Sequence, residues 1–287
     1  MRARRRCYHS QGMINGSTAT RARGRSSAVS KSACDDATMK KHQHKLPHPG
    51  GQPYRRPRFP REVAILYEDE SLVALDKPPG LLAVPVKGTE AESALSILAA
   101  ELRLRRERVF VVHRIDRFAS GILLFAKTKA ARDTLVRQFL EHRPVRQYLA
   151  VVRGHLARKE GTLVHHFQRR GMFQKLSRER DPQAARAELS YRVERTLRNA
   201  SLVRVILGTG LQNQIRVQFA AIGHPVVGDR KYSPDEAAEH RIDRVGLHAA
   251  RLEFVHPRSG ERIAIDSKPP ADFQSLVKAL GPPSGEK

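Results

Sequence analysis

Val111-Val112-His113-Arg114-Ile115-Asp116-Arg117-Phe118-Ala119-Ser120-Gly121-Ile122-Leu123-Leu124-Phe125-Ala126-Lys127 is the stretch around which the chain is organised. Two apolar runs, Val109–Val112 and Ile122–Ala126, have the length and β-branching of buried strands. A polar loop, His113 to Gly121, separates them. Asp116 lies between Arg114 and Arg117, and neighbouring positive charge favours a carboxylate over its protonated form. Ser120-Gly121 supplies a turn that lets the chain re-enter a strand. A charged Asp in a basic loop, braced by two strands, has the makings of a nucleophile. By itself such an Asp reads first as a surface ion pair; the rest of the chain overturns that reading.

The chain has 287 residues and a formal net charge of +24, with 40% hydrophobic residues. Residues 1–60 hold 14 Lys and Arg against two acids, so half of the net charge lies there. The other half lies in residues 61–287, and a basic folded domain points to a polyanionic partner, nucleic acid first. Both cysteines, Cys7 and Cys34, fall in the tail. The folded part therefore has neither a disulfide nor a Cys-based zinc site, which fits a reducing, cytoplasmic setting. The apolar runs have strand length, far below the roughly 20 residues of a membrane span.

Residues 1–60 are rich in Arg, Ser, Gly, Pro and His, lack apolar periodicity, and read as a disordered basic tail. The first 34 residues are acid-free, as in an organelle transit peptide, but lack the Leu/Phe face of an amphipathic helix. A tail that touches RNA, or a start at Met13 or Met39, ranks above organelle targeting.

From residue 61 onward the pattern alternates strands with a few helices. Strands are expected at 63–67, 72–75, 145–152, 187–193, 202–207, 247–255 and 262–265. Helices are expected at 92–105, 129–142 with Thr128 as N-cap, 214–222 and 273–280. Leu135, Val136, Phe139 and Leu140 form the expected core stripe of the second helix. Residues 155–185 read as one basic hairpin and loop. Lys77-Pro78-Pro79-Gly80 reads as a rigid turn, and Gly208-Thr209-Gly210 as a plain turn rather than a phosphate loop. Short connections between most strands imply a largely antiparallel sheet with helices packed on it, an α+β fold. The sequence contains no internal repeat.

Five blocks then occur in order: Asp76-Lys77-Pro78-Pro79-Gly80-Leu81-Leu82; His113-Arg114-Ile115-Asp116 with Ser120-Gly121; Pro144-Val145-Arg146-Gln147-Tyr148-Leu149-Ala150; Gln214-Ile215-Arg216-Val217-Gln218 with Gly228-Asp229 and Tyr232; and Leu247-His248-Ala249 with His256-Pro257. Over roughly residues 62–270 this set resembles the RluA-type pseudouridine synthase family. The resemblance implies a catalytic domain over 61–287, a central sheet in two halves with flanking helices, and a cleft between the halves. It implies isomerisation of uridine in ribosomal or transfer RNA, by a monomer with no cofactor and no metal. It makes Asp116 the nucleophile, Tyr148 the active-site tyrosine and Arg216 the partner of Asp116. Arg114 would help to displace the target base, with His113 and Gln214 as further substrate contacts. Basic flanks at 103–108, 137–146 and 165–175 would hold phosphates.

Taken singly, Tyr148 reads as a core strand residue and Arg216 as a helix-surface charge; the joint pattern assigns them. The histidines His113, His165, His166, His224, His248 and His256 lack the helical spacing with an acid that a zinc site would use. Three positions depart from the family's usual pattern. Leu211 and Asn213 stand where it has an Arg and a His, and Ala119 stands where it has a Thr. They motivate the alternative of a non-catalytic RNA-binding or ribosome-assembly factor with the same fold. Removing residues 1–60 should leave the melting temperature nearly unchanged and weaken RNA binding more at low salt than at high salt. Calorimetry and filter binding at two salt concentrations check both outcomes, and a large fall in melting temperature would show that the tail packs on the domain.

Overall fold

The structure is a computed structural model that describes residues 63–171, 173–233 and 242–282. The basic tail 1–60 lies outside the described residues. These contain eleven strands and four helices in one mixed sheet. In chain order the first part is β1 (Ala64–Glu68), β2 (Leu72–Lys77), α1 (Ala94–Leu104), β3 (Phe110–Val111), β4 (Ser120–Ala126) and α2 (Lys129–Leu140). The second part is β5 (Val145–Arg153), β6 (Glu160–Arg170), β7 (Phe173–Ser177), β8 (Ala185–Leu197), β9 (Ala200–Leu207) and α3 (Gln214–Ala221). Strands β10 (Leu247–Val255) and β11 (Arg262–Asp266) and helix α4 (Ala271–Leu280) close the chain. The fold is α+β, as the pattern of short strands and few helices implies.

The strand order is β1-β2-β4-β10-β5-β9-β8-β6-β7, with β3 on β4 and β11 on β10. Every pairing is antiparallel except that of β4 with β10. That exception joins the two halves of the sheet, and it is short: His248 faces Ser120 and Ala249 faces Gly121. Gly121 has φ +107°, and a Cβ there would lie 2.2 Å from the carbonyl oxygen of Ala249. Only glycine meets both conditions. The residue that sequence reading assigns to a turn is thus the contact point between the two halves.

Strands β2 and β4 are covered on both faces, which explains their unbroken apolar runs. On one face α1 packs Leu98 and Leu102 against Val73, Leu75, Leu123 and Phe125. On the other, α2 packs Ala131 and Leu135 against Leu72, Ala74, Ile122 and Leu124. In the second half α3 places Ile215 and Phe219 against Ala150, Val152, Val203 and Val205, while α4 places Phe273 and Leu276 against Val151 and Leu202. The helices end where their caps dictate. Ser93 and Ser96 form a capping box at α1, and Thr128 accepts from the Ala131 N–H at α2.

Three expectations need correcting. The run at 109–112 yields only the two-residue β3, and Val111 is exposed, because β3 lies at one end of β4 beside the first turns of the loop. Leu140 is 74% exposed: it closes the last turn of α2 at the rim of the cleft, past the strands that Leu135 covers. The strand expected at 187–193 runs from 185 to 197, carried past its polar residues by pairing with both β6 and β9. The hairpin expected in the basic segment 155–185 is present, formed by the long β6 and its partner β7. Gly121→Ala should cost at least about 3 kcal/mol, since it combines steric overlap with an unfavourable φ. Urea denaturation checks this, and a loss below 1 kcal/mol would show that the β4–β10 contact yields easily.

Candidate active site

A cleft of about 640 Å³ opens over the central strands, a volume suited to a nucleotide-sized ligand. Asp116, Tyr148 and Arg216 all line it. Each comes from a different element: the loop 112–119, strand β5 and helix α3.

The loop is held from below. Ile115 and Ala119 are buried and anchor it on either side of Asp116. The Ala119 N–H donates to the Asp116 carbonyl at 3.2 Å, closing a turn. The Pro-Pro turn locks the loop in place. The Gly80 N–H donates to the Arg117 carbonyl at 2.9 Å, and Arg117 Nε donates back to the Gly80 carbonyl at 2.9 Å. Lys77, fully buried, donates to the carbonyls of Pro78, Leu81 and Arg117 at 2.8, 3.0 and 3.0 Å. Burial depresses its pKa to about 7, with the Arg244 and Arg117 charges in the same direction and Asp116 and Asp76 opposed. Three carbonyl acceptors match the three N–H groups of an ammonium, so the hydrogen bonds favour the charged form. This lysine ties the turn to the loop that carries Asp116.

Arg114 and Arg117 do not serve as the close partners of Asp116. Both are exposed, and Arg117 turns to Gly80 and lies over the Phe118 ring at 5.4 Å. The partner is Arg216, whose Nη1 donates to Asp116 Oδ2 at 3.3 Å. Arg216 is 8% exposed, not a helix-surface charge. Its Nε and Nη2 donate to the two carboxylate oxygens of Asp229, both at 2.7 Å, and Nη1 also donates to Asn213 Oδ1 at 3.0 Å. Tyr232 covers one face of the guanidinium at 5.2 Å. Burial alone would weaken the charge, but the bonds and charge of Asp229, then of Asp116, raise the pKa above its ordinary value. Asp229 is in turn fixed by the backbone N–H groups of Lys231 and Tyr232 at 2.9 and 3.2 Å. Asp229 thus braces its own loop and orients Arg216.

Asn213, one of the departures from the family pattern, takes part in this frame. It sits at the head of α3 with φ +55°, a conformation asparagine tolerates. Its Nδ2 donates to the Tyr232 hydroxyl at 3.1 Å. Leu211 packs instead with Phe167, Ala187, Val217 and Tyr232.

Two expected substrate contacts are engaged elsewhere. Gln214 is buried. Its Oε1 accepts from the Thr209 hydroxyl and the Leu211 N–H at 2.9 and 3.0 Å, and its Nε2 donates to the Glu188 carbonyl and to Gln218 at 2.9 and 3.0 Å. Both ends of the amide are used inside the chain, so Gln214 shapes the 208–213 loop and drops out as a substrate ligand. His113 Nε2 accepts from the Leu124 N–H at 3.0 Å, and the ring stacks on Phe139 at 4.6 Å. Burial, with help from the Arg146 charge, pushes its pKa down to about 3. His113 is therefore a neutral wall, with its proton on Nδ1. Burial likewise pushes the Tyr148 hydroxyl up to about 12, Arg146 opposing and Asp116 assisting, so it stays protonated at neutral pH.

Sequence reasoning missed Arg146 as a cleft residue and placed it in a phosphate-binding flank. It is 8% exposed and lines the cleft. The signal was present: Arg146 and Tyr148 are two apart on one strand and so share a face. Among the described residues no three His, Cys, Asp or Glu side chains gather as a metal-ligand set. No described helix is long and apolar enough to cross a membrane.

The family of RNA pseudouridylate synthases matches residues 71–221. The ribosomal large subunit pseudouridine synthase D of Zymomonas mobilis is 34% identical over 233 residues, 76% of this chain and 73% of that protein. The dual-specificity RNA pseudouridine synthase RluA of Escherichia coli is 36% identical over 234 residues, 78% of this chain and all of that protein. Among solved structures, human RNA pseudouridylate synthase domain containing 1 superposes with a TM-score of 0.61 at 26% identity, covering 80% of this chain and 91% of that one. With these matches the chain belongs to the RNA pseudouridylate synthase family.

Proposed function

We propose that this RNA pseudouridine synthase acts on uridines in folded ribosomal or transfer RNA, as a cytoplasmic monomer, with Asp116 as nucleophile. The observation that carries the reading is the Asp116 carboxylate in the cleft, aimed by a guanidinium that Asp229 holds in place. The names of the relatives support the target class: one acts on the large ribosomal subunit and the other is dual-specific for RNA.

The steps balance without any added reagent. A carboxylate oxygen of Asp116 attacks C1′ of the target ribose, and the C1′–N1 bond breaks with its electron pair going to uracil. The uracil anion turns within the cleft until C5 faces C1′. The C5–C1′ bond forms as the ester bond to Asp116 breaks. C5 then loses its proton and N1 gains one, so the product is an isomer. Arg216 holds Asp116 in line for attack and stabilises the carboxylate when it is released. Tyr148, kept protonated, offers its ring as a platform and its hydroxyl as a donor. Arg114, exposed at the mouth, is placed to occupy the gap left when the base is flipped from its stack. The alternative of a pure binding factor gains nothing from an aimed carboxylate.

Two predictions test the assignment. Asp116→Asn removes the nucleophile but keeps its shape, so single-turnover conversion should vanish while RNA binding stays within about threefold. Substantial pseudouridine in the mutant reaction would exclude Asp116. Arg216→Met orphans the buried Asp229 as well as releasing Asp116. It should cost about 3–5 kcal/mol of stability in urea denaturation, together with activity. Arg216→Lys keeps the charge but loses the two-pronged grip on Asp229, so activity should rank Arg, Lys, Met. Near-normal turnover of Arg216→Met would refute the coupling of the two residues. A binding factor would lose affinity and have no turnover to lose.

A further inference from the structure

Arg146 is a buried charged group in the cleft whose chemistry the steps above leave unused. It projects from β5 beside Tyr148, and its guanidinium lies against Phe139 at 5.9 Å. Its Nε and Nη2 are both shielded from solvent and have no hydrogen-bond partner. No ion pair to it exists among the described residues; the one acid that lines the cleft, Asp116, bonds to Arg216. A buried cation without an anion is an arrangement that proteins avoid unless a ligand completes it. The chain also makes room for it. A Cβ on Gly210 would lie 2.4 Å from Arg146 Nη1, so the guanidinium in its present position uses the space that glycine leaves.

We propose that Arg146 is a further catalytic residue, whose free Nε–H and Nη2–H hold the uracil as it leaves the ribose as an anion. This rests on the uridine-isomerising reading of the same cleft. The Nε and Nη2 hydrogens point the same way from one edge of a rigid plane, and that edge grips two adjacent acceptors. Cleavage of C1′–N1 creates such a pair. N1 gains the electron pair of the broken bond, and O2 beside it shares the negative charge. The intact nucleoside offers O2 alone, so the second bond forms only as the charge develops, which is how an interaction accelerates the chemical step. Arg146 stays protonated throughout, and no atom or electron is added to the reaction. Burial lowers its pKa, with Tyr148 opposing, in keeping with a cation that lacks its anion at rest. The walls around it, neutral His113 stacked on Phe139, suit a flat base better than a phosphate, which would bring its full charge and hydration into the floor of the cleft.

The test uses the full-length protein and pooled transcripts of the host's ribosomal and transfer RNAs, made with uridine or with 5-fluorouridine. Fluorine stabilises the departing anion, so cleavage of that substrate needs less help from Arg146. Arg146→Met should lose about 10²- to 10³-fold in single-turnover consumption of uridine. Its RNA affinity should stay within about threefold, and its melting temperature should be unchanged or higher, because an unpaired buried charge has been removed. The loss should be several-fold smaller on 5-fluorouridine. Gly210→Ala, which displaces the guanidinium without removing its charge, should show a weaker version of the same pattern. Equal losses on both substrates, a loss confined to affinity with a changed salt slope, or a fall in melting temperature would each overturn the proposal. The second of these would identify an RNA phosphate as the ligand, and the third a structural role. If the unaltered protein converts uridine and Arg146→Met matches it, only the Arg146 assignment falls. If the unaltered protein converts no uridine in any transcript, both readings fall.

Discussion

The pairing of Arg216 with Asp229 is the constraint on which the cleft depends. Two bonds of 2.7 Å along one edge of the guanidinium fix its plane as well as its position. What remains of Arg216 is Nη1, and it points toward Asp116 and Asn213. The bonds therefore differ in kind. Those to Asp229 are short and buried; the one to Asp116 is longer, at 3.3 Å, on a side chain that is 21% exposed. A nucleophile must be oriented but free to approach carbon. A carboxylate held by two short bonds would be stabilised in its resting state and slowed in attack, since only interactions stronger in the transition state accelerate the reaction. Separating the anchoring acid, Asp229, from the proposed nucleophile, Asp116, resolves that conflict.

The same division of labour runs through the scaffold. Lys77 gives its three N–H groups to carbonyls and does not line the cleft, yet it fixes the loop that carries Asp116. Gly121 brings β4 against β10 and so sets the distance between the half that carries the loop and the half that carries Tyr148 and α3. Asn213, lacking a side-chain cap bond at the head of α3, uses its amide on Arg216 and Tyr232 instead. In each case a group that breaks a local rule is stabilised by the tertiary contact it makes.

Much of this was legible in the sequence, and the exceptions share a cause. Periodicity found α1, α2, α3 and α4 and the strands to within a few residues, because one- or two-face burial leaves a pattern in the chain. The joint motifs brought Asp116, Tyr148 and Arg216 to one cleft. What escaped was which charged groups would be buried. Taken singly, Arg216 reads as a helix-surface charge, although the joint motif makes it the partner of Asp116; Arg146 reads as part of a phosphate-holding flank and Lys77 as part of a rigid turn, since these side chains are almost never buried unpaired. Their burial follows from contacts distant in sequence: Asp229 for Arg216, the carbonyl of Arg117 for Lys77, the space left by Gly210 for Arg146. Gln214 erred in the opposite direction. A polar residue beside a catalytic one suggested substrate, but its amide is saturated by the loop it supports.

The distribution of charge in the cleft then has a physical logic. Two arginines reach the floor, while the one lining carboxylate belongs to Asp116. His113 is held neutral by a pKa near 3 and Tyr148 by one near 12, so neither adds a charge, and with Asp229 pairing Arg216 the excess of positive charge is that of the unpartnered Arg146. At rest that excess is a cost. In the proposed reaction the negative charge of Asp116 passes to the departing uracil, beside Arg146, and returns when Asp116 is released as a carboxylate. A site that is electrostatically incomplete without a transient anion stabilises the stage of the reaction that water stabilises least selectively, because its dipoles and charges are already in place and need no reorganisation. The basic surface of the domain attracts RNA at long range, and under the proposed mechanism it is this small imbalance, buried and local, that would distinguish a uridine being cleaved from one that is merely bound.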